Sequence, residues 1–289
     1  MREQKIKIAG RSGCKVELIK LAGRDIVRKS AAARNYNRRL AAQCGKQQLF
    51  QSRSAYFQPF SAPLVYKQSG LKNSRLFWFE MEFIPGEKYS EYLERSTLDQ
   101  LEILTGHFIE FIKKEIFLAE IKKCQPLLLT DKLAAIKSIL QKRNISRSVF
   151  SDNIQYLSEH IPDYPLPQGL CHGDFTLSNT LYFDGNIFMI DFLDSFLESP
   201  LLDIVKLRQD TRFHWSLLVD TEILPYQRNK IIQVLRYFDQ KIVAAFAADP
   251  FYSAWYDYLE KLNLLRILPY LNDPQEINFI EACLTRKEV

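Results

Sequence analysis

Polar and apolar residues alternate at Lys5–Ala9, and two further short amphipathic runs follow. Lys5–Ala9 reads KIKIA, Val16–Ala22 reads VELIKLA and Asp25–Ser30 reads DIVRKS. Period-two patterning of this kind predicts half-buried strands. Gly10 and Gly13 punctuate the first turn and Gly23 the second, so three antiparallel strands joined by tight turns are expected. From Ala31 to Phe50 the chain changes to Ala, Arg, Gln and Leu with almost no β-branching, which favours a helix. Leu64–Tyr66 and Leu76–Ile84 read as two more strands. The second carries the aromatic run FWFEMEFI and is cut by Pro85-Gly86, where a boundary is expected. Helices follow at 89–95, 98–122, 130–142 and 151–159, then a Pro-rich irregular stretch at 161–169. TLYF and IFMI flank Asp184-Gly185-Asn186 as a β-hairpin. Further helices are predicted at Leu202–Arg208, Lys230–Phe246, Tyr256–Leu268 and Glu276–Cys283. The pattern therefore predicts an α+β protein: a strand-rich lobe over residues 1–84 and a mostly helical lobe over 85–289 that holds one isolated hairpin.

Composition narrows the class. At 289 residues and 47% hydrophobic, the chain can bury a sizeable core. Ten glycines and twelve prolines are too few for extensive disorder. No stretch approaches the length of an uncharged membrane span, and MREQKIKIAGR lacks the apolar core of a signal peptide, so a soluble cytoplasmic protein is expected. The five cysteines have neither zinc spacing nor a disulfide framework and read as buried thiols. A net charge of +5 is mild; it favours an anionic ligand without indicating nucleic acid. Arg24, Arg28, Lys29, Arg34, Arg38 and Arg39 cluster early, either as a solvated face or toward an anionic partner.

The chemistry concentrates in one window. HGDFTLSN runs from His172 to Asn179, and FMIDFLDS places Asp191 twelve residues later, across the predicted hairpin. Asp174 lies just before the first strand. Asn179, five residues on, can fold back toward it. Asp191 follows the apolar run Ile187–Ile190, so its carboxylate emerges at the edge of a core, near the loop that precedes the first strand. Two carboxylates and an amide are hard oxygen donors of the kind Mg2+ takes together with phosphate oxygens. Asp191 and Asn179 suit the metal, and Asp174 suits orientation of a hydroxyl and late acceptance of its proton. The alternative is that these are turn, cap and loop residues.

His-Gly-Asp, four residues, Asn, then Ile-Asp-Phe resembles the signature of the aminoglycoside phosphotransferase and choline kinase group, within the protein-kinase-like fold. His172, Gly173, Asp174, Asn179, Ile190, Asp191 and Phe192 meet every fixed position. The resemblance implies a two-lobed fold and an ATP- and Mg2+-dependent kinase acting on a small-molecule alcohol. It implies Asp174 as catalytic base, Asn179 and Asp191 as magnesium ligands, and His172 as a brace of the catalytic loop. Asp203 matches an acidic residue that starts the next helix and holds the metal loop; Asp194 is either a substrate contact or a surface residue. In the small lobe Gly10, Ser12 and Gly13 resemble the turn over the phosphates, though they do not satisfy G-x-G-x-x-G. Lys29 resembles the phosphate-binding lysine, with Arg28 on the other face. Glu82–Ile84 resemble the adenine-binding hinge, with Met81 filling the adjacent position. One departure stands out: residues 31–50 contain no Glu or Asp to pair with Lys29. Either a glutamine such as Gln43 or Gln47 holds that lysine, or the pair is absent.

The acceptor is less constrained. The balanced charge gives no support to a polycationic aminoglycoside. Trp215, Tyr226, Trp255 and Tyr256 form either a cage for a quaternary ammonium, as in choline kinases, or scattered core aromatics. A saccharide or cell-envelope hydroxyl compound is the preferred expectation. Leu202 comes only eleven residues after Asp191, which leaves no room for the activation loop of a protein kinase. A kinase-shaped binding or scaffold protein is the non-enzyme alternative.

Overall fold

The computed structural model of the chain describes residues 4–8, 14–21, 23–71, 75–220 and 223–285. Two compact units emerge, Met1–Thr97 with His172–Ser195, and Leu98–Cys171 with Phe196–Val289. They are defined by packing, whereas the boundary expected after residue 84 rests on the Pro85-Gly86 break.

The first unit opens with β1 (Gln4–Ile8), β2 (Cys14–Leu21) and β3 (Arg24–Ala31), paired antiparallel in sequence order. Gly23 turns β2 into β3 at φ +79°, a left-handed conformation that costs glycine little. Alternation along β3 puts Val27, Lys29 and Ala31 on the buried face. A 3-10 turn, Arg34–Tyr36, leads into α1 (Asn37–Ser52), and α2 (Ser54–Phe57) follows. The helix begins six residues later than composition suggests. Its buried residues Leu40, Gln43, Cys44, Gln47 and Phe50 recur at helical spacing. After β4 (Phe60–Ser61), the strands β5 (Val65–Gln68) and β6 (Trp78–Glu82) complete a five-stranded sheet in the order β1-β2-β3-β6-β5. Val27, Ala31, Leu40, Cys44, Phe77, Phe79 and Met81 close one core between sheet and helix. Burying a side chain the size of Phe79 contributes about 2–3 kcal/mol.

The predicted hairpin forms as β10 (Thr180–Phe183) and β11 (Asn186–Met189), but it is not isolated. β7 (Glu87–Lys88) pairs antiparallel with β10, and β4 pairs parallel with β11, giving a four-stranded sheet β4-β11-β10-β7. The short strands β4 and β7 carry no alternating pattern long enough to be read. Gly86 permits the approach of β7, because a Cβ there would lie 3.1 Å from both Leu181 Cβ and the Tyr182 carbonyl. α3 (Tyr89–Arg95) completes the unit, with Tyr92 stacked on Tyr182 at 4.2 Å.

The second unit holds α4 (Leu98–Leu118), α5 (Pro126–Lys142), α6 (Ser148–Glu159), α7 (Pro200–Thr211), α8 (Trp215–Val219), α9 (Pro225–Phe246), α10 (Pro250–Ile267) and α11 (Pro274–Thr285). Helices α5, α7, α9, α10 and α11 start on proline, two to six residues before the hydrophobic pattern places them. Proline is tolerated at the first helical position because its missing N–H has no partner to lose there. The end of the predicted helix 98–122 and the irregular stretch 161–169 instead form strands, β8 (Glu120–Lys123) paired with β9 (Pro165–Gln168). α7 is buried along its whole length, Asp203, Lys206, Arg208 and Asp210 included. Arg208 is satisfied there by both carboxylate oxygens of Asp239 and by the Tyr252 hydroxyl. Among the described residues, no helix is long and apolar enough to cross a membrane.

Candidate active site

The site is built on the hairpin and the segments that enter and leave it. At Gly173 the backbone runs at φ +84°, and a Cβ would fall 2.6 Å from Ser195 Oγ and 2.8 Å from the Leu193 carbonyl. Only glycine fits, and the sharp turn brings His172 and Asp174 against the end of β11.

His172 is fully buried and works through both ring nitrogens. Nε2 donates to the Ile190 carbonyl at 2.8 Å, and Nδ1 accepts the Asp174 N–H at 3.2 Å. The His172 carbonyl in turn accepts the Leu193 N–H at 3.0 Å. Its ring lies 4.4 Å from that of Phe192. Burial pulls its pKa down to about 4, against the opposing pull of Asp174 and the Ile190 carbonyl. The imidazole is therefore neutral and ties the segment before the hairpin to the segment after it.

Asn179 ends a short 3-10 turn, Leu177–Asn179. Its Nδ2 donates to the Asp174 carbonyl at 2.8 Å and to Asp174 Oδ2 at 3.1 Å. Asp174 and Asn179 thus meet as their spacing suggests. Asp191 follows β11 at φ +62°, in the left-handed region that Asp tolerates better than bulkier residues. Its Oδ1 accepts from Lys29 Nζ at 2.6 Å. Lys29 is 4% exposed. Burial opposes its charge, but Asp191, with Cys14 and Tyr36, leaves the ammonium pKa raised.

The donor set suits a hard divalent ion. Asp191 supplies a carboxylate whose side chain is 44% exposed. Asn179 turns its amide nitrogen to Asp174, which leaves Oδ1 as its acceptor. One carboxylate and one amide oxygen match the sparse protein ligation typical of magnesium.

Other expected residues fall as follows. Gly10, Ser12 and Gly13 lie outside the described residues. Arg28 occupies the opposite face from Lys29, pairing with Glu80 and lying 5.0 Å over the Trp78 ring. Neither glutamine holds Lys29: Gln43 donates to the Tyr36 hydroxyl, and Gln47 to the Pro63 carbonyl and Met81 sulfur. In the hinge segment the Glu82 N–H is donated to the Leu64 carbonyl, and Met81 packs into the sheet–helix core. Ile84 is buried and Asp194 is exposed. In the second unit, Asp203 is buried in the first turn of α7. Trp255 is buried and donates to the Tyr164 and Pro165 carbonyls. Tyr256 lies under the Arg208 guanidinium at 4.4 Å with its hydroxyl on Glu260, so the cation on its face is an internal one. Tyr226 is exposed, and Trp215 packs near Phe279. Sequence reasoning missed Lys46, whose Nζ donates to the Leu193 carbonyl at 2.7 Å. A lysine amid arginines and glutamines on a helix gave no signal of its own.

Comparison with known proteins agrees with this architecture. A chain from Ralstonia eutropha JMP134, provisionally named an aminoglycoside phosphotransferase, superposes with a TM-score of 0.62 at 11% identity, over 98% of this chain and 89% of that one. A thermostable mutant of aminoglycoside phosphotransferase APH(4)-Ia, solved with ADP and hygromycin B, gives 0.55 at 15% identity over 97% and 90%. A provisionally named fructosamine-3-kinase from Haemophilus somnus 129PT gives 0.58 at 14% over 98% and 91%. At such identities the likeness shows the fold, which is protein-kinase-like. No curated protein matches the chain. Residues 10–229, three quarters of the sequence and all of the site above, match the family model described as phosphotransferase enzyme family, and the chain belongs to that family (APH).

Proposed function

We propose that this phosphotransferase moves the terminal phosphoryl group of ATP, with Mg2+, to a hydroxyl of a small molecule, a saccharide or cell-envelope precursor being the preferred acceptor. The observation that supports this reading is the pairing of Asp174 with Asn179 and of Asp191 with Lys29 at the open end of one hairpin, where the Ile190 N–H donates to the Asn179 carbonyl. Asp174 is the base: it orients the acceptor hydroxyl and takes its proton late in the transfer. Asn179 fixes the Asp174 carboxylate through Oδ2 and, with Asp191, is the magnesium ligand. Magnesium, when bound, neutralises charge on the phosphate oxygens. Lys29 is placed to exchange its partner, leaving Asp191 for a phosphate. His172 is a neutral brace, unsuited to carrying the transferred proton because both nitrogens are engaged. Asp203 is assigned to support of the metal loop. Residues 1–84 would bind the nucleotide through Gly10, Ser12, Gly13, Lys29, Glu82 and Ile84, and residues 85–289 would hold the catalytic groups and the acceptor.

The internal use of Trp255 and Tyr256 speaks against a quaternary-ammonium cage made from them. Asp239 is likewise spent on Arg208, and Asp210 on the Ser216 N–H and hydroxyl, so neither carboxylate is left for a polycation. The experiment is a screen of magnesium-dependent ATP consumption against sugars, aminoglycosides, choline and other small alcohols. Turnover on one class, lost by roughly 10²–10⁴-fold in Asp174→Asn with nucleotide binding retained, is expected. Magnesium-dependent ATP binding with no turnover on any compound would favour a scaffold protein. Full turnover in Asp174→Asn would sink the assignment of the base.

A further inference from the structure

Helix α1 carries no carboxylate, yet it reaches the catalytic segment by another route. Lys46 Nζ donates to the Leu193 carbonyl at 2.7 Å, two residues after Asp191. The same residue is held through its other backbone group, since the Leu193 N–H donates to the His172 carbonyl. The ammonium also lies on the face of Gly173, where an added Cβ would stand 3.3 Å from Nζ. One turn along α1, the ring of Phe50 lies 5.5 Å from that of Phe192. A cation and an aromatic ring at i and i+4 therefore hold the two residues that follow Asp191. Asp191 itself sits at φ +62°, a conformation that persists only when its surroundings fix it.

We propose that Lys46 is a positioning residue: it latches helix α1 onto the Leu193 carbonyl and so holds the Asp191 turn in its metal-binding shape. This rests on the phosphotransferase reading above and deepens it. A lysine on a carbonyl is a charge-assisted hydrogen bond, stronger than a neutral one and directional at the acceptor. Lys29 finds no carboxylate on α1 and pairs with Asp191 instead. Coupling between α1 and the site then runs through the backbone after Asp191, and movement of α1 would move that carboxylate.

Two variants and two readouts test the latch. Lys46→Met keeps the stem and removes the donor; Lys46→Arg keeps a cation. In the nucleotide-free protein, Lys46→Met should speed amide exchange of the 190–196 segment about tenfold, the loss expected for one charged hydrogen bond, with other segments unchanged. With ADP as the probe, the Mg2+ concentration that supports binding should rise on the order of 10–100-fold, as for loss of a group that orients a metal ligand. ADP binding without Mg2+ should not change, and Lys46→Arg should recover most of the loss. Wild-type exchange and wild-type magnesium dependence in Lys46→Met would overturn the proposal. So would faster exchange throughout the protein with an unchanged magnesium requirement, which is the mark of general destabilisation. If the wild type itself binds no magnesium–ADP, the parent reading falls and takes the metal arm with it. The exchange measurement then still decides the latch.

Discussion

Protonation of His172 should destabilise this protein, and the reason lies in its two hydrogen bonds. Nε2–H is committed to the Ile190 carbonyl, so a second proton must go to Nδ1, which then faces the Asp174 N–H donor to donor. Burial places the pKa at about 4 against an ordinary 6.5. The unfolded chain therefore takes up this proton first as pH falls. The stability that a neutral His172 contributes is complete above about pH 6.5 and is lost as pH drops toward 4. At about 1.4 kcal/mol per pH unit, the gap is worth about 3 kcal/mol, a large part of the stability of an ordinary domain. The assay is urea unfolding of wild type and His172→Gln at steps from pH 7.5 to 4. His107, whose pKa burial also lowers, and the carboxylates titrate in both proteins and cancel in the difference. The stability advantage of wild type should shrink by about 3 kcal/mol across that range. An advantage that stays constant with pH refutes the reasoning. Should His172→Gln fail to fold, an NMR titration of the wild-type imidazole decides instead, and a pKa at or above 6 refutes it equally.

Asp191→Ala should abolish the magnesium dependence of nucleotide binding, checked by calorimetry, and unchanged binding would remove Asp191 from the metal site. The same change strands the buried Lys29 ammonium. Because the Asp191 side chain is 44% exposed, the destabilisation should be about 1–3 kcal/mol, below that for a fully buried pair. Adding Lys29→Met should restore stability but not metal binding. Gln47→Glu should cost about 1–3 kcal/mol without lowering the Michaelis constant for ATP, since a carboxylate would face the Pro63 carbonyl rather than Lys29. A lowered Michaelis constant would show that α1 can supply the missing ion pair. Gly173→Ala should destabilise by about 2 kcal/mol or more, from a left-handed backbone and contact with Leu193 O, as measured by chemical denaturation.

The sequence alone determined the chemistry-bearing window and the kind of elements around it. Asp174 and Asn179 are five residues apart on one loop, and Asp191 ends a strand whose partner starts beside that loop. A hairpin returns the chain locally, so such residues converge whatever the rest of the molecule does. The same locality made the long periodic helices readable, apart from their proline starts, where a residue taken as a breaker is the first residue of the helix. Only tertiary structure joined β4 and β7 to the hairpin, because strands of two residues have no period to read and exist through their partners. It also chose the partner of Lys29. No spacing rule connects a residue on β3 to one 162 positions later, and burial of the ammonium made the nearest accessible carboxylate decisive. Lys46 was invisible for the same reason. Its role depends on which carbonyl lies within reach of its stem, and that is a property of the fold rather than of its neighbours in sequence.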